Sequence, residues 1–498
     1  MFYLECIKMI KNLSYEKKAL YVFIIVNILV WSGLGLIRSV LPTDALECIY
    51  WGGLHDFGTP KHPPLCGWIT YTVYSIFKTD FSIYLMSQLF VLAGIWYIYK
   101  LAQIFLDENK AILATIMMEG CWAYNYITGY YGFNPDVILL CILPIMTYIF
   151  YQCITNNKTS DWIKLGIIVG IAFLNKYQTV LILSAMFLWA LIFKREVFKQ
   201  KTFYISVLIA FLIFLPHLIW LFKYDFFPLL YFESEMYDKS LLAHFIQSGV
   251  FLIMQIAAIA GILVLFGILL VKQKTPIKIN INWNKESAFL IIFGLLPLVI
   301  HLLMGLIGGG NMRPRWGFEF LFLTSIMLFY FIPTKELSKD DFRCILKFTY
   351  SIMLIIFISM GTLLSVEKNY RSRYPVEIVY KDLNTKWTEA TGKPLKYLGG
   401  YIEWTLPLTV YSKDHPQIIL DTNNYKNIWI NEEDLKKSGI LVIDRTIEGL
   451  ERYVHKSCPY LDENYEIKPI EYKFTVQNAY NMPREYTVYY HIVEPEKD

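Results

Sequence analysis

DALECIYWGGLHDFGTPKHPPLCGW, residues Asp44–Trp68, lies between the first long apolar run of the chain, Leu20–Ile37, and the next, 81–99. It gathers an acidic pair (Asp44, Glu47), Asp56, two aromatics (Tyr50, Trp51), Lys61-His62 and the double proline Pro63-Pro64. A loop that only joined two membrane helices would not need that chemistry. The apolar segment that follows, Leu65–Phe77, has 13 residues, whereas a crossing helix needs about 20. It therefore reads as a helix lying in the interface, and this fixes the topology of everything downstream.

Composition supports a membrane protein. The 498 residues are 55% hydrophobic, 17% aromatic and 18% charged, against about 25% charged in soluble domains. Aromatics at this density suit interfacial belts. The net charge of +4 is small. Lys and Arg cluster in short loops, so the charge reports topology and not nucleic-acid binding. The eight cysteines form no CxxC or His-rich metal spacing, and only Cys458 lies in the polar C-terminal region, which excludes a disulfide within it. No small-residue cleavage site follows Leu20–Ile37, which reads as a retained helix.

Candidate spans run at 20–37, 81–99, 111–128, 137–153, 162–174, 178–193, 203–222, 245–271, 288–307, 316–332 and 345–364. The expected fold is a polytopic α-helical membrane protein of about 11–13 transmembrane helices. Residues 1–364 form its membrane domain, including the loop 38–80. Lys8, Lys11, Lys17 and Lys18 place the N-terminus in the cytoplasm by the positive-inside rule. Crossing counts then put Lys194-Arg195, Lys272, Lys274, Lys335 and Lys339 inside as well. Outside lie 38–80, 130–135, 223–244, 308–315 and the tail, 365–498. The tail has mixed charge, turn signals at Thr391–Pro394 and Gly399-Gly400, and β-prone runs at Ile418–Leu420, Leu441–Ile443 and Tyr486–Val493. It is expected to be an extracytoplasmic α/β domain.

Each candidate site residue has a plain alternative. Asp44 and Glu47, three apart, share one face of a short helix, or are surface acids. Lys61-His62-Pro63-Pro64 is an extended lead into the next helix, or a rigid support for the acids. Tyr130-Tyr131-Gly132-Phe133-Asn134-Pro135-Asp136 puts Asp136 at a helix N-terminus, where a carboxylate is favoured as cap or dipole partner. Lys176 interrupts an apolar run and could snorkel. Arg313 and Arg315 fall on the expected outer side, where arginines are less expected. Arg suits phosphate, and lipid headgroups offer the same chemistry. No Gly-rich nucleotide loop, zinc spacing or Ser-His-Asp order is present.

In their order along the chain these motifs resemble the GT-C membrane glycosyltransferases of the protein-mannosyltransferase type, including the bacterial lipid A aminosugar transferases. The matching residues are Asp44, Glu47, Tyr50, Trp51, Lys61–Leu65 with Trp68, Phe133–Asp136, Asn175–Tyr177, Leu215–Trp220 and Arg313–Trp316. They cover roughly residues 20–330. One departure is that Ala45, not a second acid, follows Asp44. The resemblance implies a GT-C fold and an inverting transferase. It would take a sugar from a polyprenyl-phosphate carrier to lipid A, another glycan or a protein, at the outer face of a bacterial inner membrane.

On that footing Asp44, Glu47 and Asp136 are the catalytic candidates. Lys61, His62, Lys176, Arg313 and Arg315 are the donor-phosphate candidates. Tyr50, Trp51, Tyr131 and Asn134 are expected to line the substrate. No cofactor is implied, and a divalent metal is not indicated by any spacing. Two other classes compete: a transporter of lipid-linked sugars, which would carry its ionisable groups near the bilayer midplane, and a non-catalytic scaffold.

Overall fold

The computed structural model describes residues 13–236, 240–309, 312–368, 370–420, 427–462 and 464–496. Cys6, Lys8, Lys11 and the loop residues Gly310-Asn311 lie outside them. The chain folds as two units. The first comprises the chain up to Gly35 with Ile83–Lys223 and Phe232–Ser359; the second comprises Leu36–Ser82, Tyr224–Tyr231 and the chain from Met360 onward.

The first unit is a helical bundle. Among the described residues, seven helices of the chain are long and apolar enough to cross a membrane: Tyr15–Ile37, Asp80–Phe105, Pro135–Asn156, Lys201–Lys223, Leu241–Ala258, Lys285–Gly308 and Lys339–Val366. Polar caps start several of them. Ser14 accepts from the Lys17 amide, and Asn284 forms a capping box with Ser287.

The remaining expected spans differ. Run 111–128 is not one helix. It is a helix over Glu108–Met117, two 3-10 turns at Met118–Gly120 and Trp122–Tyr124, and a short helix over Tyr126–Tyr131. The cause is polar: the Asn125 side-chain amide donates to the Glu119 backbone carbonyl, while Asn27 donates to the Glu119 carboxyl at 2.6 Å. Run 245–271 breaks at Ile259 into Leu241–Ala258 and Ala260–Gln273. Run 316–332 opens as a 3-10 segment, Pro314–Leu323, before Thr324–Phe331 turns α-helical. Runs 162–174 and 178–193 become helices of 15 residues each, short of the length a perpendicular crossing needs.

Without a hydrophobic drive between helices in lipid, close backbone approach decides which pairs form. Thr159–Phe173 carries Gly166 and Gly170 four apart, a small-xxx-small stripe. A Cβ on Gly166 would stand 2.5 Å from the Ser206 carbonyl oxygen, and one on Gly170 would stand 2.7 Å from Ile213 Cβ. The stripe therefore docks on Lys201–Lys223.

The second unit contains a five-stranded sheet of order β2-β1-β3-β5-β4, with β1 Tyr397–Gly400, β2 Gln417–Leu420, β3 Ile440–Asp444, β4 Ile470–Gln477 and β5 Pro483–Val493. β1 pairs in parallel with β2 and β3, through connections that carry the helices Ile402–Tyr411 and Glu432–Ser438. β5 pairs antiparallel with β3 and β4. The three expected β-prone runs fall in β2, β3 and β5. The core includes Tyr397, Ile419, Val442, Leu450 and Val454.

The first loop packs with this tail. The Ile418 amide donates to the Tyr50 hydroxyl at 3.0 Å, the Leu41 amide to the Tyr411 hydroxyl at 2.8 Å, and the Tyr411 hydroxyl to Asp80 at 2.7 Å. Within the loop, helix Thr43–Gly53 crosses helix Leu65–Phe77 at Gly52 and Gly67. A Cβ on Gly52 would stand 2.0 Å from the Gly67 carbonyl oxygen. Gly52→Ala should therefore destabilise the protein by about 1–3 kcal/mol through overpacking. Gly249→Ala, where an added Cβ meets nothing within 4 Å, serves as the control and should be neutral or slightly stabilising. Thermal unfolding in detergent, followed by circular dichroism, measures both.

Candidate functional site

Charged side chains of the first unit meet around Lys176. Asn134 starts this arrangement. Its side-chain oxygen accepts from the amides of Asp136 and Val137 at 3.0 and 3.1 Å, so Asn134, not Asp136, caps helix Pro135–Asn156. The Asp136 carboxylate is thereby left for another partner. Lys176 supplies it at 2.5 Å. Lys176 lies in the break between helices Thr159–Phe173 and Thr179–Phe193. It is 7% exposed, so it does not snorkel to the surface. The Asn175 side chain fixes that break by donating to the Pro135 carbonyl at 2.9 Å.

Two further groups complete the cluster. Glu319, 2% exposed, stands 3.6 Å from the Lys176 ammonium. Arg315 approaches the second Asp136 oxygen at 3.7 Å and lays its guanidinium 5.1 Å from the centre of the Tyr131 ring. Two carboxyl groups thus face two cations. Pairing matters because a buried unpaired charge is costly, more so in an apolar bundle. Arg313, in contrast, is exposed, with its guanidinium 6.0 Å from the Trp316 ring.

Neighbouring motifs close around this cluster. Gln178 donates to His301 Nε2 at 2.9 Å and to the Trp316 carbonyl at 3.1 Å, and His301 Nδ1 bonds the Pro297 carbonyl at 3.1 Å. The Tyr177 hydroxyl bonds His217 Nε2 at 2.7 Å, and the His217 ring stacks on Trp220. The segments 134–136, 175–178 and 313–319, far apart in sequence, therefore share one neighbourhood.

The second unit holds the first-loop residues. Asp44 sits in the first turn of helix Thr43–Gly53, half-buried. Glu47, one turn on, is 5% exposed and pairs with Lys61 at 2.5 Å. Lys61 also sits 5.6 Å from the centre of the Trp51 ring. The turn that delivers Lys61 is built by Thr59: its amide and hydroxyl both donate to the His62 carbonyl, at 3.0 and 2.8 Å, and its hydroxyl accepts from the His62 amide at 2.9 Å. Tyr50 is anchored to β2 and lies edge-on to Trp429 at 6.2 Å. Burial raises its hydroxyl well above the ordinary tyrosine value. The Cys48 and Cys66 sulfurs lie 3.1 Å apart as free thiols. That hydrogen bond, then burial, holds the Cys48 thiol well above its usual range, and such a thiol is unreactive.

Glu319 was not among the sequence-derived candidates. The available signal was a carboxylate inside the apolar run 316–332, since an ionisable residue there needs a partner. The same signal marks Glu119. Among the described residues, no three His, Cys, Asp or Glu side chains gather as a metal site.

Residues 61–220 match the model of the dolichyl-phosphate-mannose-protein mannosyltransferase family. Among curated proteins, the lipid A galacturonosyltransferase RgtD of Rhizobium johnstonii is 23% identical over 190 residues, 36% of this chain and 38% of that protein's length. Among solved structures, apo ArnT from Cupriavidus metallidurans superposes with a TM-score of 0.63 at 11% identity, covering 96% of this chain and 98% of that one. The chain has the ArnT fold, and all three matches are of the GT-C glycosyltransferase type that its motifs resemble.

Removing one member of the buried cluster should expose the cost of the others. Lys176→Met should destabilise the protein by about 3–5 kcal/mol, the penalty for stranding buried charge. Adding Glu319→Gln should recover part of that loss. A double-mutant cycle read by unfolding in detergent checks this, and additive losses would contradict the coupling.

Proposed function

We propose that this chain is an inverting glycosyltransferase that moves a sugar from a polyprenyl-phosphate carrier to an extracytoplasmic acceptor. The carrying observation is the cluster Asp136–Lys176–Glu319–Arg315, four charged groups held together in a bundle of apolar helices. Charge at such a place is expensive and marks a functional site. The family description attached to residues 61–220, and the lipid A substrate in the curated relative's name, give the reading its chemical class. The acceptor is lipid A, another glycan or a protein. The location is a bacterial inner membrane, with the outer loops and the tail facing the periplasm. Lys17, Lys18, Lys194 and Arg195 are the charges that support this orientation.

In this reading the leaving group is an anionic phosphate. Its charge grows as the glycosidic bond breaks, so fixed cations stabilise the transition state more than the ground state. Arg313, exposed, is the first phosphate ligand, and Arg315 the second. Lys61 and Lys176 are each already paired with a carboxylate, so their role is to hold Glu47 and Asp136, each within its own unit. His62 contributes through the rigid turn it shares with Thr59. Asp44 is the base for an acceptor hydroxyl. For a phosphate acceptor, which is ionised near pH 7 and needs no strong base, Asp44 instead stabilises positive charge at the anomeric carbon. Glu47 keeps Lys61 in place, and Asp136 organises the Lys176 cluster.

Purified protein incubated with polyprenyl-phosphate sugar and a membrane extract should yield a glycosylated product, identified by mass spectrometry. Movement of intact carrier without bond cleavage would make the protein a transporter. Asp44→Asn should abolish transfer while the unfolding curve stays unchanged; turnover near wild type would remove Asp44 from the mechanism. Arg313→Ala should slow cleavage of labelled donor at least tenfold, and an unchanged rate would exclude its contact with phosphate.

A further inference from the structure

A cavity of about 380 Å³ opens within the second unit, apart from the ion pair Glu47–Lys61 but sharing Trp51 with it. Its lining includes Trp51, His55, Asp56 and Thr59 from the first loop and Gln417 and Trp429 from the tail. The volume is at the small end of ligand pockets. We propose that this cavity binds a neutral sugar ring of the acceptor.

The lining selects for that chemistry. The half-buried Trp429 indole provides a flat apolar face, which suits the C–H face of a pyranose, and Trp51 closes the cavity beside it. Around them stand groups able to donate and accept hydrogen bonds to hydroxyls in pairs. The Gln417 side-chain amide makes no hydrogen bond to another described residue, although its backbone amide is spent on the Lys396 carbonyl. One Asp56 oxygen accepts from the Phe57 amide at 2.8 Å, and among the described residues the other has no partner. Trp429 is held from behind: its indole N–H donates to the Ile418 carbonyl at 2.9 Å, and Tyr50 meets its edge. Among the described residues, no Lys or Arg lines the cavity, which argues against phosphate or a nucleotide. The carboxylate and amides argue against an acyl chain.

The backbone is shaped for this cavity. His55 has φ +53°, a left-handed conformation uncommon outside glycine. It persists because its amide bonds the Gly52 carbonyl at 3.2 Å and its ring meets Tyr71 edge-on at 5.2 Å. Backbone held in such a region collects at ligand sites. Here it turns the chain at the cavity rim, between Trp51 and Asp56.

The assignment to the acceptor rests on the transferase reading above; the sugar-binding property does not. Saturation-transfer NMR on the full-length protein in detergent tests it, with galactose and the β-linked disaccharide of N-acetylglucosamine as probes. Wild type should give transfer to at least one probe. Gln417→Ala and Asp56→Asn should each weaken it at least tenfold while melting at the wild-type temperature. Transfer to neither probe, or undiminished binding in both folded variants, would overturn the site. Dodecyl phosphate, a mimic of the carrier, should leave the signal unchanged; competition would overturn the acceptor assignment. Sugar binding in a protein that never transfers sugar would refute the transferase reading and leave the cavity standing.

Discussion

The 2.5 Å contact between Lys176 and Asp136 is the constraint on which the first unit depends. Both groups are 7% exposed, and each would be expensive alone in an apolar bundle. The pair can exist only if two helix ends meet. Asn134 must free the Asp136 carboxylate by taking over the cap, and the chain must break after Phe173 to turn Lys176 inward. Glu319 and Arg315 then bring the 3-10 segment Pro314–Leu323 to the same place. A helix that began as regular α-helix at 316 would carry Glu319 on a different face. The irregular backbone and the charge cluster therefore explain one another.

The second unit solves a related problem with less burial. Glu47 and Lys61 face each other from a helix and a tight turn, and Trp51 lies beside the ammonium. Their spacing relies on the Gly52–Gly67 crossing, which lets the two loop helices approach within backbone contact. Sheet and loop are tied by polar bonds to tyrosine hydroxyls, Tyr50 to β2 and Tyr411 to Leu41 and Asp80. These tyrosines work as structural struts. Tyr50, expected along a substrate path, uses its hydroxyl to hold the strand that carries Gln417.

Several elements were legible in the chain. Mostly apolar runs such as 137–153 and 203–222 became one helix each, although each carries an internal proline, Pro144 and Pro216. The β-prone runs of the tail became strands. Run 111–128 failed the reading because Glu119 and Asn125 redirect its backbone bonds, and hydropathy does not see a carbonyl. The GIIVG stripe at Gly166–Gly170 was readable in principle, as small residues four apart on an apolar helix.

The sequence by itself determined that the chain is a membrane protein with a polar α/β tail, since apolar run length and charge placement act locally and additively, and its motif order carried the resemblance to the GT-C type. Which charges pair was decided only by tertiary structure. Lys61 and Lys176 look alike as donor-phosphate candidates, yet each is already committed to a carboxylate, one 14 and one 40 residues away in the chain. Arg313, read on equal terms with Arg315, remains exposed. Ion pairing depends on distance in space, and a linear pattern of residues carries no such distance.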